Sequence, residues 1–263
     1  MCRAARPANE RNKVHQSLQD KVVIITGGAR GIGRAYALGI AEEGGKVVIA
    51  DVLDGQPVVD EIVAAGGQAI SVNTDVSDEA ANKAMAAAAV EEFGSIDVFI
   101  ANAAMFSETS RGPFDRLTVA EWDRSFEVNV RGVWLGIRAV HPYMVEQGHG
   151  KIITIGSNTI YKGTAGFPHY VATKSALLGL TRCLATEFGP AGITVNCVSP
   201  DLIPDPNLRP TDSVSDEYVV AGRALRRTMV VDDMVGTMLY LCSGASDFVT
   251  GQSFLVNGGA HYL

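Results

Sequence analysis

From Asp20 onward the chain alternates, without a break, between two kinds of segment. The first is a short apolar run rich in β-branched residues, at 22–26, 47–51, 69–75, 96–102, 151–157, 193–200 and 253–257. Several of these runs are continuously apolar rather than alternating, the pattern of a parallel strand buried on both faces. The second kind is longer, rich in Ala, Glu and Leu, and helical in character. One such stretch opens on Thr118-Val119-Ala120-Glu121, a capping-box signature. Regular β/α alternation demands right-handed crossovers into one parallel sheet. The expected architecture is a single α/β domain, doubly wound, with seven parallel strands and helices on both faces.

Composition narrows what such a domain can do. Of 263 residues, 47% are hydrophobic and 19% charged, enough for a sizeable core and unlike a disordered or fibrous chain. The net charge of −7 argues against a nucleic-acid partner, which favours a basic surface. Cys2, Cys183, Cys197 and Cys242 are widely spaced with no paired motif. They read as free thiols of a reducing, cytoplasmic compartment, with no metal site. No run approaches the ~18 apolar residues of a membrane span. The first seventeen residues carry Arg3, Arg6, Arg11 and Lys13 against Glu10, with no apolar stretch behind them. This argues against a secretory signal and leaves a targeting peptide or, as the favoured reading, a mobile basic tail over 1–17, ahead of a catalytic domain over 18–263. The Pro-containing stretch 201–215 is too short to separate domains, and a substrate loop is expected over about 201–227.

The apolar runs end in Thr26, Asp51, Asp75, Asn102, Ser157 and Asn257. In open parallel sheets, ligands bind outside these carboxyl ends. After the first run comes Thr26-Gly27-Gly28-Ala29-Arg30-Gly31-Ile32-Gly33, opening a helix. Glycines let backbone approach a pyrophosphate, whose charge a helix N-terminus stabilises. Gly27, Arg30, Gly31, Ile32 and Gly33 are therefore candidate cofactor contacts. Asp51, about twenty residues on, is placed to accept hydrogen bonds from an adenosine ribose and to repel a 2′-phosphate, which favours NAD over NADP. Arg30 pulls the other way, since a guanidinium can grip a 2′-phosphate.

The spacing Thr-Gly-x-x-x-Gly-x-Gly, in this strand–loop–helix context, resembles the short-chain dehydrogenase/reductases, single-domain Rossmann oxidoreductases. The likeness runs from about Asp20 to Gly259. It implies NAD as cofactor, Asp75 and Val76 at its adenine, and Asn102 and Ala103 closing over it. Ala104 stands where the family usually has Gly. Pro200 and Ile203 match positions near the nicotinamide. Asp201 replaces the glycine that generally follows that proline, suggesting an altered loop and an acid near the pocket mouth.

Tyr170 and Lys174 lie four apart in a helical stretch and share a face. A phenol titrates near ~10, too high for a neutral-pH base, but a close cation can lower it. Such a Tyr can take a proton from an alcohol or return one to a ketone. Ser157, thirteen residues earlier, can donate to the substrate oxygen. The resemblance adds Asn129 as part of a proton relay to Lys174, completing a tetrad of Asn129, Ser157, Tyr170 and Lys174. His169 reads as a pocket wall or packing residue.

Met105, Phe106, Asn158, Thr159, Tyr161, Phe167, His169, Leu202 and Leu208 are the expected pocket residues, apolar and aromatic with few fixed charges. Asp201, Asp205, Asp212, Asp216 and Glu217 against Arg209 make an acidic mouth, which argues against a 3-oxoacyl carrier-protein reductase. Ser157-Asn158-Thr159 and Ile193-Thr194-Val195-Asn196 are similar to NAD-linked aryl-alkyl alcohol dehydrogenases such as 1-phenylethanol dehydrogenase, and to pyridoxal 4-dehydrogenase. That likeness implies a ring-bearing secondary alcohol or cyclic hemiacetal, and the family implies a homotetramer. An NADP-dependent ketone reductase is the alternative. A non-catalytic dinucleotide sensor would typically lack the Tyr or Lys kept here, and a dehydratase or epimerase would typically need a longer chain.

Overall fold

The computed structural model describes residues 18–106, 110–204 and 216–263. The expected basic tail, Leu208, Asp205, Arg209 and Asp212 lie outside the described residues, as do the side chains of Asp216 and Glu217. Strands β1 (Val22–Thr26), β2 (Lys46–Asp51), β3 (Gln68–Asn73), β4 (Val98–Ala101), β5 (Gly150–Ile155), β6 (Ile193–Pro200) and β7 (Ser253–Val256) form one sheet. Its order is β3-β2-β1-β4-β5-β6-β7, and every neighbouring pair is parallel. The order reverses between β1 and β4, which opens a crevice at their carboxyl ends.

Helices α1 (Gly31–Glu42), α2 (Gln56–Ala64), α3 (Glu79–Phe93), α4 (Val119–Phe126), α5 (Val133–Gln147), a single turn α6 (Thr159–Lys162), α7 (Pro168–Phe188), α8 (Asp216–Ala221) and α9 (Val235–Cys242) complete the domain. The continuous apolar runs do what their pattern predicts. Val23 and Ile25 of β1 point into a core closed by α1, α2 and α9, with Tyr36, Ile40, Ile62 and Met238. Val22 and Ile24 point into a second core closed by α3, α5 and α7, with Met85, Ile137, Leu177 and Leu184. One strand feeding two cores requires helices on both faces, so the chain is doubly wound.

Several boundaries differ from expectation. β3 stops at Asn73 because Asp75 turns back to accept hydrogen bonds from the Ser77 amide (2.9 Å) and hydroxyl (2.7 Å). β5 stops at Ile155, and Ser157 and Asn158 lie beyond it, where Asn158 N–H reaches the Pro200 carbonyl (2.8 Å). The long helical stretch starting at Thr118 does carry its capping box, but it widens into a π-helical segment at Glu127–Gly132 before α5 continues.

At the amino end of the sheet, Asp97 ties several elements together. Its carboxylate accepts from Lys21 Nζ (2.7 Å), from the buried Val22 N–H (2.9 Å) and from Ser95 (3.2 Å), with His149 at 3.1 Å. Burial alone pushes its pKa up, but the Lys21 and Val22 hydrogen bonds outweigh it and leave it below the ordinary value. A depressed carboxylate adds stability that is present above its unfolded pKa and is lost as pH falls through the folded one. Asp97→Ala leaves the Val22 donor unpaired, and we expect a loss of about 1–3 kcal/mol at neutral pH, read by urea unfolding. The difference between the two proteins should begin to shrink below about pH 4, the ordinary carboxylate value, and close only as pH falls through the lower folded pKa.

Candidate active site

The turn after β1 is shaped by contacts that leave no room for side chains. A Cβ on Gly33 would lie 2.0 Å from the Gly27 carbonyl oxygen and 2.7 Å from Asn102 Nδ2. Gly27 itself adopts φ +67°, and a Cβ there would meet the Ala103 Cα at 2.9 Å. The Asn102 amide donates to the carbonyls of Thr26 (2.9 Å) and Gly27 (3.0 Å). Thr26 Oγ1 in turn accepts from the amides of Asn102 (3.0 Å) and Ala103 (3.1 Å). The loop is thus pinned to the end of β4.

Asp51 pins the loop from the other side. Its carboxylate accepts from Ala29 N–H (3.0 Å) and Leu53 N–H (3.0 Å). The helix that follows has neither a side-chain cap nor an acid in its first turn. A Cβ on Gly31 meets nothing within 4 Å. An uncapped helix N-terminus bordering open space suits an anion. The side-chain-free loop and the uncapped helix N-terminus fit the nicotinamide dinucleotide that the resemblance implies.

A cavity of about 580 Å³ runs from this loop along the strand ends. Its lining includes all five loop residues expected, Asp51, Asp75, Val76, Asn102, Ala103, Ser157, Tyr170, Lys174, Pro200 and Ile203. The expected pocket residues Tyr161, Phe167 and His169 are absent from the wall, and so is the expected catalytic residue Asn129, in the π-helical segment. Its buried side chain accepts from Met105 N–H (2.8 Å) and donates to the Met105 carbonyl (3.2 Å) and Thr173 Oγ1 (3.3 Å). It braces the segment after β4 against α7, and its amide makes no described contact with Lys174.

The first turns of α7 carry Tyr170 and Lys174, both buried. Lys174 Nζ donates to the Ile155 carbonyl (2.8 Å), and it lies 5.7 Å from the Tyr170 ring centroid. Burial pulls the ammonium down to about 8. The same enclosure pushes the phenol up to about 12, with Ser157 hydrogen bonding and the Arg111 charge opposing. The lowering of the phenol expected from Lys174 is opposed by burial, which raises it. Desolvation of the phenolate outweighs every nearby donor and charge. Ser157 Oγ also accepts from Thr159 N–H (3.2 Å) and Oγ1 (2.9 Å), which fills its acceptor positions.

Two expectations about the surroundings need correction. Asp201 is no free acid at the mouth. Its side chain is 8% exposed and pairs with Arg223 Nε at 2.7 Å, itself 2% exposed. Asn158 Nδ2 donates to it as well (3.0 Å). Nor is the pocket poor in fixed charge, since Arg111 and Lys162 both line it. His169 is absent from the wall: it is 1% exposed, edge-on to Phe167, and neither ring nitrogen has a partner. Burial lowers its pKa, against the Glu121 charge. The C-terminal segment also folds back, with Asn257 Nδ2 bonded to Asn158 Oδ1 (3.2 Å) and His261 Nδ1 3.3 Å from Asn158 Nδ2.

Known proteins share this frame. A family model described as enoyl-(acyl carrier protein) reductase matches residues 27–261. The chain is 38% identical, over 92% of its length and 97% of the relative, to (2S)-[(R)-hydroxy(phenyl)methyl]succinyl-CoA dehydrogenase subunit BbsD of Thauera aromatica. It is 36% identical, over 92% of its length and 98% of the relative, to the 3-oxoacyl-[acyl-carrier-protein] reductase FabG of Staphylococcus aureus. A crystal structure from Beutenbergia cavernae, described as a proposed NAD(P)-dependent gluconate 5-dehydrogenase with NADP bound at low occupancy, superposes with TM-score 0.86. It shares 31% identity and covers 94% of this chain and 98% of its own.

Gly33→Ala tests the loop. We expect NADH affinity to fall at least about 10-fold in a fluorescence titration while the far-UV circular dichroism stays native, since the clash is with loop backbone rather than with the core. Unchanged affinity would remove this turn from the dinucleotide site.

Proposed function

This chain belongs to the short-chain dehydrogenase/reductase family, and from that premise we propose that it is an NAD-dependent oxidoreductase interconverting a secondary, ring-bearing alcohol or cyclic hemiacetal and its carbonyl. The observation that carries the reading is the convergence of Ser157, Tyr170 and Lys174 on one wall of the cavity that begins at the glycine loop. The phenyl-bearing substrate in the name of the Thauera relative supports a ring, and the aromatic lining of Phe106 and Tyr170 offers it a surface.

The bound dinucleotide would supply the acceptor or donor of a hydride at the carbinol carbon. Ser157 donates to the substrate oxygen and steadies the charge that develops there. Tyr170 moves the proton on that oxygen: it protonates the carbonyl oxygen during reduction and accepts the hydroxyl proton during oxidation. Lys174, bonded to the Ile155 carbonyl, lies 5.7 Å from the phenol ring centroid and is the candidate ribose contact. Asn129 braces the segment after β4, and any relay role belongs to its surroundings rather than to its occupied amide.

For the cofactor, Asp51 favours NAD and Arg30 lines the same end of the cavity. The NADP seen in the Beutenbergia structure makes the alternative a concrete one. The carboxylate charge is the stronger influence because Asp51 is buried and fixed by two backbone donors, whereas Arg30 is exposed. A carrier-protein-linked 3-oxoacyl substrate is the second reading, since Arg111 and Lys162 supply the cationic wall that sequence reasoning found lacking. The free thiols Cys183, Cys197 and Cys242 among the described residues suit a cytoplasmic setting. Among the described residues, no helix is long and apolar enough to cross a membrane. Exposed Val119, Trp122 and Trp134 on the α4–α5 face suit self-association as a homotetramer, and light scattering showing a stable monomer would refute that assembly.

A panel of secondary alcohols and cyclic hemiacetals with NAD, followed at the NADH absorbance, tests the reaction class. Tyr170→Phe should still bind NADH yet lose roughly 100-fold or more in turnover, the scale of a missing general acid–base. Near-normal oxidation by that variant would overturn the assignment. With the phenol held at about 12, oxidation kcat/KM should climb with pH through the neutral and mildly alkaline range. Reduction, which needs the protonated phenol, should stay level there.

Asp51→Asn removes the charge and keeps one of the two acceptor oxygens that hold the Ala29 and Leu53 amides. It should shift the NAD/NADP kcat/KM ratio toward NADP by about 10-fold or more. Equal use of both cofactors by the wild type would transfer the decision to Arg30.

A further inference from the structure

The segment after β5 brings Ser157, Asn158 and Thr159 to the cavity wall that also carries Tyr170. Asn158, in the middle, is fastened on three sides. Its N–H donates to the Pro200 carbonyl (2.8 Å), its side-chain amide donates to Asp201 (3.0 Å), and its side-chain oxygen accepts from Asn257 (3.2 Å). Thr159 opens α6 directly after this anchor. Both of its donors are turned on one atom: the hydroxyl donates to Ser157 Oγ at 2.9 Å and the amide at 3.2 Å.

A serine hydroxyl has two acceptor lone pairs and one proton. Thr159 occupies both lone pairs, so the hydrogen bond left to Ser157 Oγ is one that it donates. Burial pushes the Tyr170 phenol up to about 12, and a hydrogen bond from Ser157 is the first of the contacts that oppose it. The sense of that bond matters to the chemistry. An accepting Ser157 would take the Tyr170 proton that a carbonyl needs during reduction. A donating Ser157 leaves that proton to the substrate and turns its own toward the oxygen on which charge develops.

We propose that Thr159 is a positioning residue: it fills the acceptor side of Ser157 Oγ and thereby fixes that hydroxyl as a donor to the reacting oxygen. The proposal rests on the dehydrogenase reading and deepens it, adding a side chain that acts through Ser157 rather than on the substrate. Donation to Ser157 also polarises its O–H, since hydrogen bonds in a chain strengthen one another. The contact transfers no proton and no electrons of its own. Its effect is felt as charge builds on the substrate oxygen, so it falls on kcat more than on KM.

The test uses the full-length enzyme with NAD and 1-phenylethanol. Thr159→Val keeps the branched shape and the amide donor and removes the hydroxyl. It should lower kcat by about 10-fold with KM changed less than about 2-fold, and Thr159→Ser should recover most of the loss. In a Ser157→Ala background, Thr159→Val should cost nothing further, because the contact it removes ends on the missing oxygen. A loss of the same size with Ser157 already truncated, or no recovery by Thr159→Ser, overturns the proposal. Wild-type oxidation matched by Thr159→Val sustains the dehydrogenase and refutes the role of Thr159. A neutron structure of the deuterium-exchanged wild type reads the same contact without turnover. The Thr159 hydroxyl deuteron should lie toward Ser157 Oγ, and the Ser157 deuteron toward the cavity. A Ser157 deuteron directed at Thr159 Oγ1 overturns the proposal. If the wild type oxidises no secondary alcohol or cyclic hemiacetal, the dehydrogenase reading fails, and the deuteron positions alone decide whether Thr159 fixes Ser157 as a donor.

Discussion

The architecture of the site depends on one knot of hydrogen bonds where the strand order reverses. The ends of β1 and β4 are neighbours, but the chain reaches one from the other only after β2 and β3. Asn102 closes the gap with two donors to the Thr26 and Gly27 carbonyls, and Thr26 returns two acceptor contacts. Asp51 fastens the opposite side of the loop at Ala29. Without these ties a glycine-rich turn would carry a large conformational freedom to be lost on binding. With them the turn is already held in the shape that presents the α1 N-terminus. Three of the polar residues that end strands thus serve the loop first, and face a cofactor only as a consequence of where the loop holds them.

Burial sets the chemistry as firmly as it sets the fold. Tyr170 and Lys174 sit on a helix whose inner face is packed against the sheet, so the same enclosure moves both pKa values toward the neutral forms. A pair of this kind is poised by desolvation rather than by mutual attraction. The phenol keeps its proton, which suits donation to a carbonyl. Ser157 and Arg111 are the groups that draw it back toward ionisation, and both line the cavity.

Fold and cofactor end were legible because their signals are local. β-Branched runs, a capping box at Thr118, glycines in a turn and an acid at the next strand end are all read within a few tens of residues. Tyr170 and Lys174 were legible for the same reason, being one helical turn apart. The substrate end was not, because its character is made by contacts between distant segments. Arg111 follows a stretch without periodicity, and nothing near it in sequence says that it will stack on Phe167, some fifty-six positions on. Asp201 read as exposed because the arginine that buries it lies twenty-two residues away, beyond the proline-containing segment. His169 read as either wall or packing residue, and it packs against Phe167, because adjacency to Tyr170 in sequence says nothing about which side of a helix faces the cavity.

The Asp201 pair also shows how a departure from the family pattern is absorbed. A carboxylate in place of a glycine, beside the proline that ends β6, would be costly if left alone in the interior. Arg223 neutralises it and extends further, donating to the carbonyls of Leu202 (2.8 Å) and Arg227 (3.0 Å). Asn158 donates to the same carboxylate, Asn257 donates to Asn158, and Asn257 also donates to the His261 carbonyl (2.9 Å). Replacing two charges by apolar groups of similar shape can be as stable, so the pair is weak evidence of extra stability. Its consequence is positional. It joins the segment after β6, the segment after β5 that carries Ser157, and the chain's last residues into one polar unit under the substrate cavity. A shift in any of the three segments would therefore be transmitted to Ser157, and the altered proline-aspartate turn works as a fastening of the site rather than as a charge offered to the substrate.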